Sequence, residues 1–203
     1  MKKRTILCSL FTFIFLLQAC SSKLPIETNI NEKVADFDFT TQDGEGLSRS
    51  DLAGKWWIAD FIFTNCTTAC LPMTSNMVLL QDRINEEGLD IELVSFSVDP
   101  DHDTPSVLRE YGEDYGADFS NWHFLTGYDF DTIKKLSVKS FRAFLQVSAD
   151  DPDQYTHDTR FFLVDPDGNI VKGYSGLVSE SVDEIIDDLL ILQEAELIDS
   201  LSN

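Results

Sequence analysis

The feature that most constrains this chain is the stretch Trp56–Met77, WWIADFIFTNCTTACLPMTSNM, where an apolar, aromatic run of strand character ends in polar residues and two cysteines separated by three residues follow. Beyond Pro72 the apolar positions take up helical spacing, so the cysteines enter a helix N-terminus. Residues four apart share one helix face with Cα atoms roughly 6 Å apart, which a disulfide can span. Cys66 and Cys70 can therefore act as a dithiol, a disulfide or a metal chelate. A helix N-terminus also favours thiolate over thiol, and thiolate is the form that attacks disulfides and binds metals.

How many cysteines the folded protein keeps depends on the N-terminus. Lys2-Lys3-Arg4 reads as a positive n-region, Ile6–Leu17 as an apolar h-region, and Leu17-Gln18-Ala19-Cys20 closes it with a small residue before a cysteine. Residues 1–19 are accordingly expected to be a signal peptide of bacterial lipoprotein type, with Cys20 lipidated and the domain anchored on the outer face of the cell membrane. Two or more acyl chains anchor stably where one is marginal. The competing readings are an ordinary cleaved signal or an uncleaved anchor helix, for which the stretch is short of the ~20 residues a span needs. With Cys8 removed and Cys20 lipidated, only Cys66 and Cys70 remain, so a disulfide-stapled scaffold is excluded. So short a loop gains little from closure, which points the pair to redox or metal chemistry.

A chain of 203 residues suits one globular domain. Its net charge is −21, and loss of Lys2, Lys3 and Arg4 leaves 36 acidic against 12 basic residues, or −24. That surface repels nucleic acid, which is excluded as a partner, and reads either as a solubility adaptation or as a docking surface for a basic partner.

Residues 20–33 are polar, contain Pro25 and read as a lipid-anchored tether. Phe37 and Phe39 alternate with polar residues, and Thr41-Gln42-Asp43-Gly44 supplies a turn before Leu47, predicting an N-terminal β-hairpin. Met73, Met77, Leu80 and Ile84 mark the core face of a helix ending at Gly88. Ile91–Val98 reads as a buried strand, Thr104-Pro105 as the start of a helix to about Tyr115, Trp122–Leu125 as a strand and Asp129–Val138 as a helix. Phe141–Val147 has strand composition, and Ser148–Tyr155 is an acidic loop. Arg160–Val164, the Asp165–Asn169 turn and Ile170–Tyr174 form a hairpin before a last helix, Ser179–Leu192, and a tail, 193–203, expected to fray. This order predicts an α/β fold, a thioredoxin-like mixed central sheet flanked by helices over residues 34–192, with the cysteines where strand carboxyl ends meet helix N-termini.

Several ordered motifs sharpen the reading: Phe61–Cys70 (FIFTNCTTAC), Ser95–Pro100 (SFSVDP) with Asp103-Thr104-Pro105, Thr156-His157-Asp158 ahead of Phe161–Val164, and the Asp165-Pro166-Asp167-Gly168 turn. Together they resemble the Sco (SenC) family, copper chaperones of cytochrome c oxidase assembly, over roughly Asp36 to Leu192. The resemblance implies copper, as Cu(I) or Cu(II), held by Cys66, Cys70 and His157. It also implies delivery to the binuclear copper centre of an oxidase subunit outside the membrane. The sequence departs from the family where Leu71, not proline, follows the second cysteine.

Two thiolates and one imidazole suit copper on chemical grounds as well. Asp99, in the loop after the buried strand, is a candidate to support the ligands from behind; as a turn residue it needs no such role. His102 reads as a turn residue, His123 as a core or edge histidine, and Met73 and Met77 as core. The alternative function is a thiol–disulfide oxidoreductase that reduces the cysteines of the oxidase subunit or another partner, with Cys66 and Cys70 as the redox-active pair and a thiol reductase as a further partner. A peroxiredoxin-type site is disfavoured because Phe63 stands where a proline is needed, and a zinc hydrolase because no general base is placed for it.

Overall fold

The computed structural model describes residues 23–66 and 70–201, with Cys70 described by its backbone alone. The signal segment, the lipidation residue Cys20, and Thr67, Thr68 and Ala69 lie outside the described residues. Among those described, no helix is long and apolar enough to cross a membrane.

Every residue of Trp56–Ile62 (β4) is buried, on both faces of the strand, which places it at the centre of an eight-stranded mixed sheet. It pairs in parallel with Ile91–Ser97 (β5), which pairs in parallel with Trp122–Thr126 (β6). On its other side β4 meets the antiparallel hairpin of Arg160–Val164 (β9) and Asn169–Ser175 (β10). The predicted N-terminal hairpin, Asp38–Thr41 (β2) and Gly46–Ser48 (β3), joins the far edge through β6, and Glu32–Lys33 (β1) closes the near edge on β10.

One face of β4 carries Trp56, Ile58 and Ile62 into a core shared with Cys70–Glu87 (α1), Pro105–Tyr115 (α2) and Glu180–Glu194 (α4). The other carries Trp57, Ala59, Phe61 and Phe63 towards Phe130–Ser140 (α3) and the aromatic group of Phe37, Phe96, Phe141 and Phe162. Met73 and Met77 are fully buried on α1, as core residues should be. Thr104 caps α2 through Val107 N–H with Pro105 in the first turn, and Asp129 caps α3 through Thr132 N–H.

Three local expectations are corrected. The segment read as a tether docks from Ile26 onward: Ile26 is buried, Asn29 and Ile30 donate to the Val171 carbonyl, and β1 follows. The tail read as fraying is tied down: Trp56 Nε1 donates to the Leu197 carbonyl, Ile198 is buried, and Leu201 N–H reaches Gly88 O. The Phe141–Val147 run yields only Leu145–Val147 (β7), because Phe141 ends α3 and Arg142 turns the chain at φ 51°. A strand not anticipated, Tyr155–His157 (β8), pairs with β7 as a separate two-stranded sheet.

Gly176, after β10, donates to the Thr159 carbonyl and accepts from Asn76 of α1. A Cβ there would lie 2.6 Å from that carbonyl oxygen and 3.0 Å from the Phe161 ring. Gly176→Ala is therefore expected to cost roughly 1–3 kcal/mol in denaturant unfolding. An unchanged midpoint would refute this packing.

Candidate metal centre

The candidate ligands come from two structural units. Cys66 follows a turn at the end of β4, closed by its own N–H to the Phe63 carbonyl, and its side chain is half-buried. Cys70 opens α1. The turn is pinned from below by Asp103, fully buried, whose carboxylate accepts from Thr64 Oγ1 at 2.6 Å and Ser97 Oγ at 2.5 Å, with Thr64 N–H at 3.3 Å. By sequence Asp103 is only a turn and capping residue. In the fold it binds the Cys66 turn to the end of β5, a long-range contact that no local pattern announces.

His157 arrives on β8, half-buried, its ring 5.8 Å from that of Phe63 and edge-on to it. Its Nδ1 lies 2.8 Å from the Asp158 carbonyl. A carbonyl only accepts, so Nδ1 carries a proton, and in the neutral ring Nε2 is then the nitrogen that can bind a metal. Asp158 in turn holds Arg160 by a two-point ion pair, which fixes the chain after His157. Gln154 Nε2 donates to the Asn65 carbonyl at 3.0 Å, clasping the acidic loop before β8 to the Cys66 turn. The fold thus brings the His157 hairpin and the Cys66 turn together. Among the described residues no three His, Cys, Asp or Glu side chains converge as a cation site; the Cys70 sulfur, needed to complete the set, lies outside them.

Asp99 sits at the rim, largely buried, and accepts from the Tyr155 hydroxyl at 3.1 Å. Burial pushes its carboxyl above the ordinary range and the Tyr155 hydrogen bond opposes this; burial and the same contact push Tyr155 up to about 12. Asp99 thereby positions Tyr155, two residues before His157. A cleft of about 520 Å³ lined by Asn65, Asp99, Asp101, His102, Asp153 and Tyr155 opens beside it. His102 is partly exposed and leans on Thr64 and Asp103. His123, far along the sheet, pairs with Glu92, which also takes Lys55. Neither histidine joins His157.

One group escapes the sequence reading altogether. Asp60, in the middle of β4, is fully buried, and neither carboxylate oxygen makes a hydrogen bond of ordinary geometry among the described residues. Burial pushes its carboxyl up to about 7, opposed by the nearby Ser95 hydroxyl dipole and by the charge of His157. The signal that could have found it lies in β4 itself: an acidic residue in a run of seven buried positions.

The SCO1/SenC family profile matches residues 27–192. This chain belongs to the SCO1/SenC family. It is similar to a SCO1/SenC family lipoprotein from Bacillus anthracis, at 43% identity and a TM-score of 0.76 over 80% of this chain and 96% of that one. It is also similar to BsSco, a member of the Sco family of cytochrome c oxidase assembly proteins in which a disulfide switch has been identified, at 42% identity and a TM-score of 0.74 over 81% and 95%. ScoI of Arabidopsis thaliana, a structure with copper bound, matches at 27% identity and a TM-score of 0.65 over 77% and 97%. The fold is thioredoxin-like, as the order of elements implied.

Proposed function

We propose that this SCO1/SenC protein is an extracytoplasmic copper carrier that receives copper on Cys66, Cys70 and His157 and delivers it to the copper-bearing subunit of cytochrome c oxidase. The observation that carries this is the placement of His157, whose Nδ1 is held by the Asp158 carbonyl on a hairpin clasped to the Cys66 turn, so that Nε2 is the ring nitrogen left to act as a ligand. Two sulfurs and an imidazole suit Cu(I) and accommodate Cu(II), and three ligands at a rim leave room for an acceptor's ligands to enter. The copper-bound plant relative and the oxidase-assembly role of the Sco family support the reading. The Lys2–Cys20 pattern and the lipoprotein from B. anthracis support a lipid anchor on Cys20 at the outer face of the cell membrane.

A second reading, reduction of the acceptor's cysteines by the Cys66–Cys70 dithiol, is favoured by the disulfide switch of BsSco, and needs a thiol reductase to restore the pair. Mixing the reduced full-length protein, loaded with one equivalent of copper, with the oxidised and the reduced apo-subunit separates the two. Carrier function requires copper to move to the reduced acceptor while Cys66 and Cys70 stay reduced. If no copper moves to the reduced acceptor, and the oxidised acceptor instead gains two thiols as Cys66 and Cys70 form a disulfide and shed their copper into solution, the carrier reading fails and the reductase reading holds.

A further inference from the structure

Copper carriage gives no reason for where this acidic chain keeps its unpaired positive charge. Among the described residues, ion pairs to carboxylates take every arginine, Lys55 and Lys172, and leave Lys23, Lys33, Lys134, Lys135 and Lys139. All five are exposed, and they fall in two places, the N-terminal segment and α3. From Thr132 to Ala149 the sequence carries Lys134, Lys135, Lys139 and Arg142 and no acidic residue, in a chain with 36 acids among 203 residues. Helical spacing puts Lys134, Lys135, Val138 and Lys139 on the outer face of α3, with Ile133 and Leu136 buried on the other. Val138 is 45% exposed among the lysines. Like charges four residues apart repel, so Lys135 and Lys139 do nothing for the helix itself.

The acids nearby are mostly engaged elsewhere. Asp129 caps α3 through Thr132 N–H, Asp36 is held by Arg49, and Glu32 by Arg142. Asp131, in the first turn, offsets one of the three lysines. The N-terminal segment runs beside the end of the helix: Ala35 N–H donates to Ser140 Oγ at 3.0 Å, and Arg142 meets Glu32 at 2.8 Å. Lys33 therefore lies close to the α3 terminus. Ile26 is already docked on the domain, so the chain from Cys20 to that point is six residues long and reaches no more than ~20 Å. A domain held that close meets the bilayer at an effective concentration on the order of millimolar, so a weak contact is enough to orient it.

We propose that the outer face of α3 docks on the anionic headgroups of the membrane that carries the anchor, and so sets which way the candidate metal centre faces. Each lysine beside an anionic surface strengthens binding about fivefold, and three together about 100-fold. The acidic remainder of the surface is repelled by the same headgroups. Screening over roughly 8 Å lets attraction and repulsion act on different sides of the domain, so one face is held and the others are turned away. Past its turn at Arg142, α3 leads into β7, whose partner β8 carries His157, so docking this helix holds the hairpin at the membrane surface. An acidic protein is the competing occupant, and the short reach of the anchor favours the bilayer. The proposal rests on the anchor reading and not on copper.

The test is lysine labelling of the purified full-length protein, reconstituted in vesicles of phosphatidylcholine alone or of phosphatidylcholine and phosphatidylglycerol in equal parts. A water-soluble succinimidyl ester is applied briefly, and each lysine is read by mass spectrometry. On the mixed vesicles Lys134, Lys135 and Lys139 are expected to label about tenfold more slowly than on phosphatidylcholine, and about 1 M salt to remove the difference. Lys135→Gln combined with Lys139→Gln weakens docking about 25-fold, so Lys134 in that variant is expected to regain its rate. Equal labelling on the two kinds of vesicle overturns the proposal and leaves α3 to an acidic protein partner. Slowing that survives high salt overturns it as well. The mass of the N-terminal peptide reads the anchor separately: an unacylated Cys20 refutes the anchor, while slowing that tracks phosphatidylglycerol supports docking of α3 whatever holds the chain. Protein recovered free of both kinds of vesicle overturns both.

Discussion

Replacing His157 by alanine is expected to lower the affinity of the reduced protein for Cu(II) by roughly 100-fold or more, since loss of even an outer partner of a metal ligand costs 10- to 100-fold. Cu(I), which two thiolates satisfy better than Cu(II), should be retained more strongly than Cu(II) by the variant. The asymmetry follows from the geometry. His157 is delivered by β8, outside the main sheet, whereas Cys66 and Cys70 lie on the β4–α1 junction and do not depend on it. Folding should survive, because the His157 ring is half-buried and its Nδ1 is held by the carbonyl of the adjacent Asp158. Competitive titration and the visible spectrum of the Cu(II) form provide the measurement. Wild-type affinity and spectrum in His157→Ala would remove His157 from the site and with it the case for metal over thiol exchange.

The second large effect concerns stability. Asp60 is held at about 7 in the folded chain against 3.8 for a free aspartate, so the sign of its pH dependence is fixed. Below about pH 4 it is protonated in folded and unfolded chains alike and has no effect. Between there and about pH 7 the unfolded chain gains by ionising while the folded one does not, so stability falls as pH rises and levels off above the folded pKa. About three units correspond to a loss on the order of 4 kcal/mol. Asp60→Asn is expected to recover most of it at pH 8 and to change little at pH 4, as read from denaturant unfolding at the two pH values. A difference between the proteins that does not vary with pH would show that Asp60 is not buried as a neutral acid. A cost of this size in a domain of ordinary stability is the kind of concession found at working sites.

Most of the architecture is legible because it rests on local rules. The run of seven buried residues in β4, the Thr104-Pro105 start of α2 and the Asp165–Gly168 turn each announce themselves within a few residues. Leu71 is also less disruptive than its departure from the family pattern suggests, since α1 begins at Cys70 with Leu71 exposed and Pro72 still within the first turn. What stays hidden depends on distant partners. The tail after Leu192 has no strong pattern of its own and is ordered by Trp56 and Gly88, more than a hundred residues away. The β7–β8 hairpin hides in an acidic stretch whose strands are three residues each and mostly exposed or half-buried. Asp60 escapes notice because alternation shows which face a residue takes but not how completely its carboxyl will be buried there.

Among the described residues that hairpin shares no strand pairing with the eight-stranded sheet, although it carries the third candidate ligand. The cysteines are held by one unit and the histidine by another, joined at their tips by the contact of Gln154 with Asn65. Leu145 and Tyr155 seat the hairpin on the core beneath β4, and an ion held by both units would add its binding free energy to that packing. On the proposed carrier reading, handing over the cargo removes the bond that the ion makes between the two units and leaves the pairing of the eight-stranded sheet untouched.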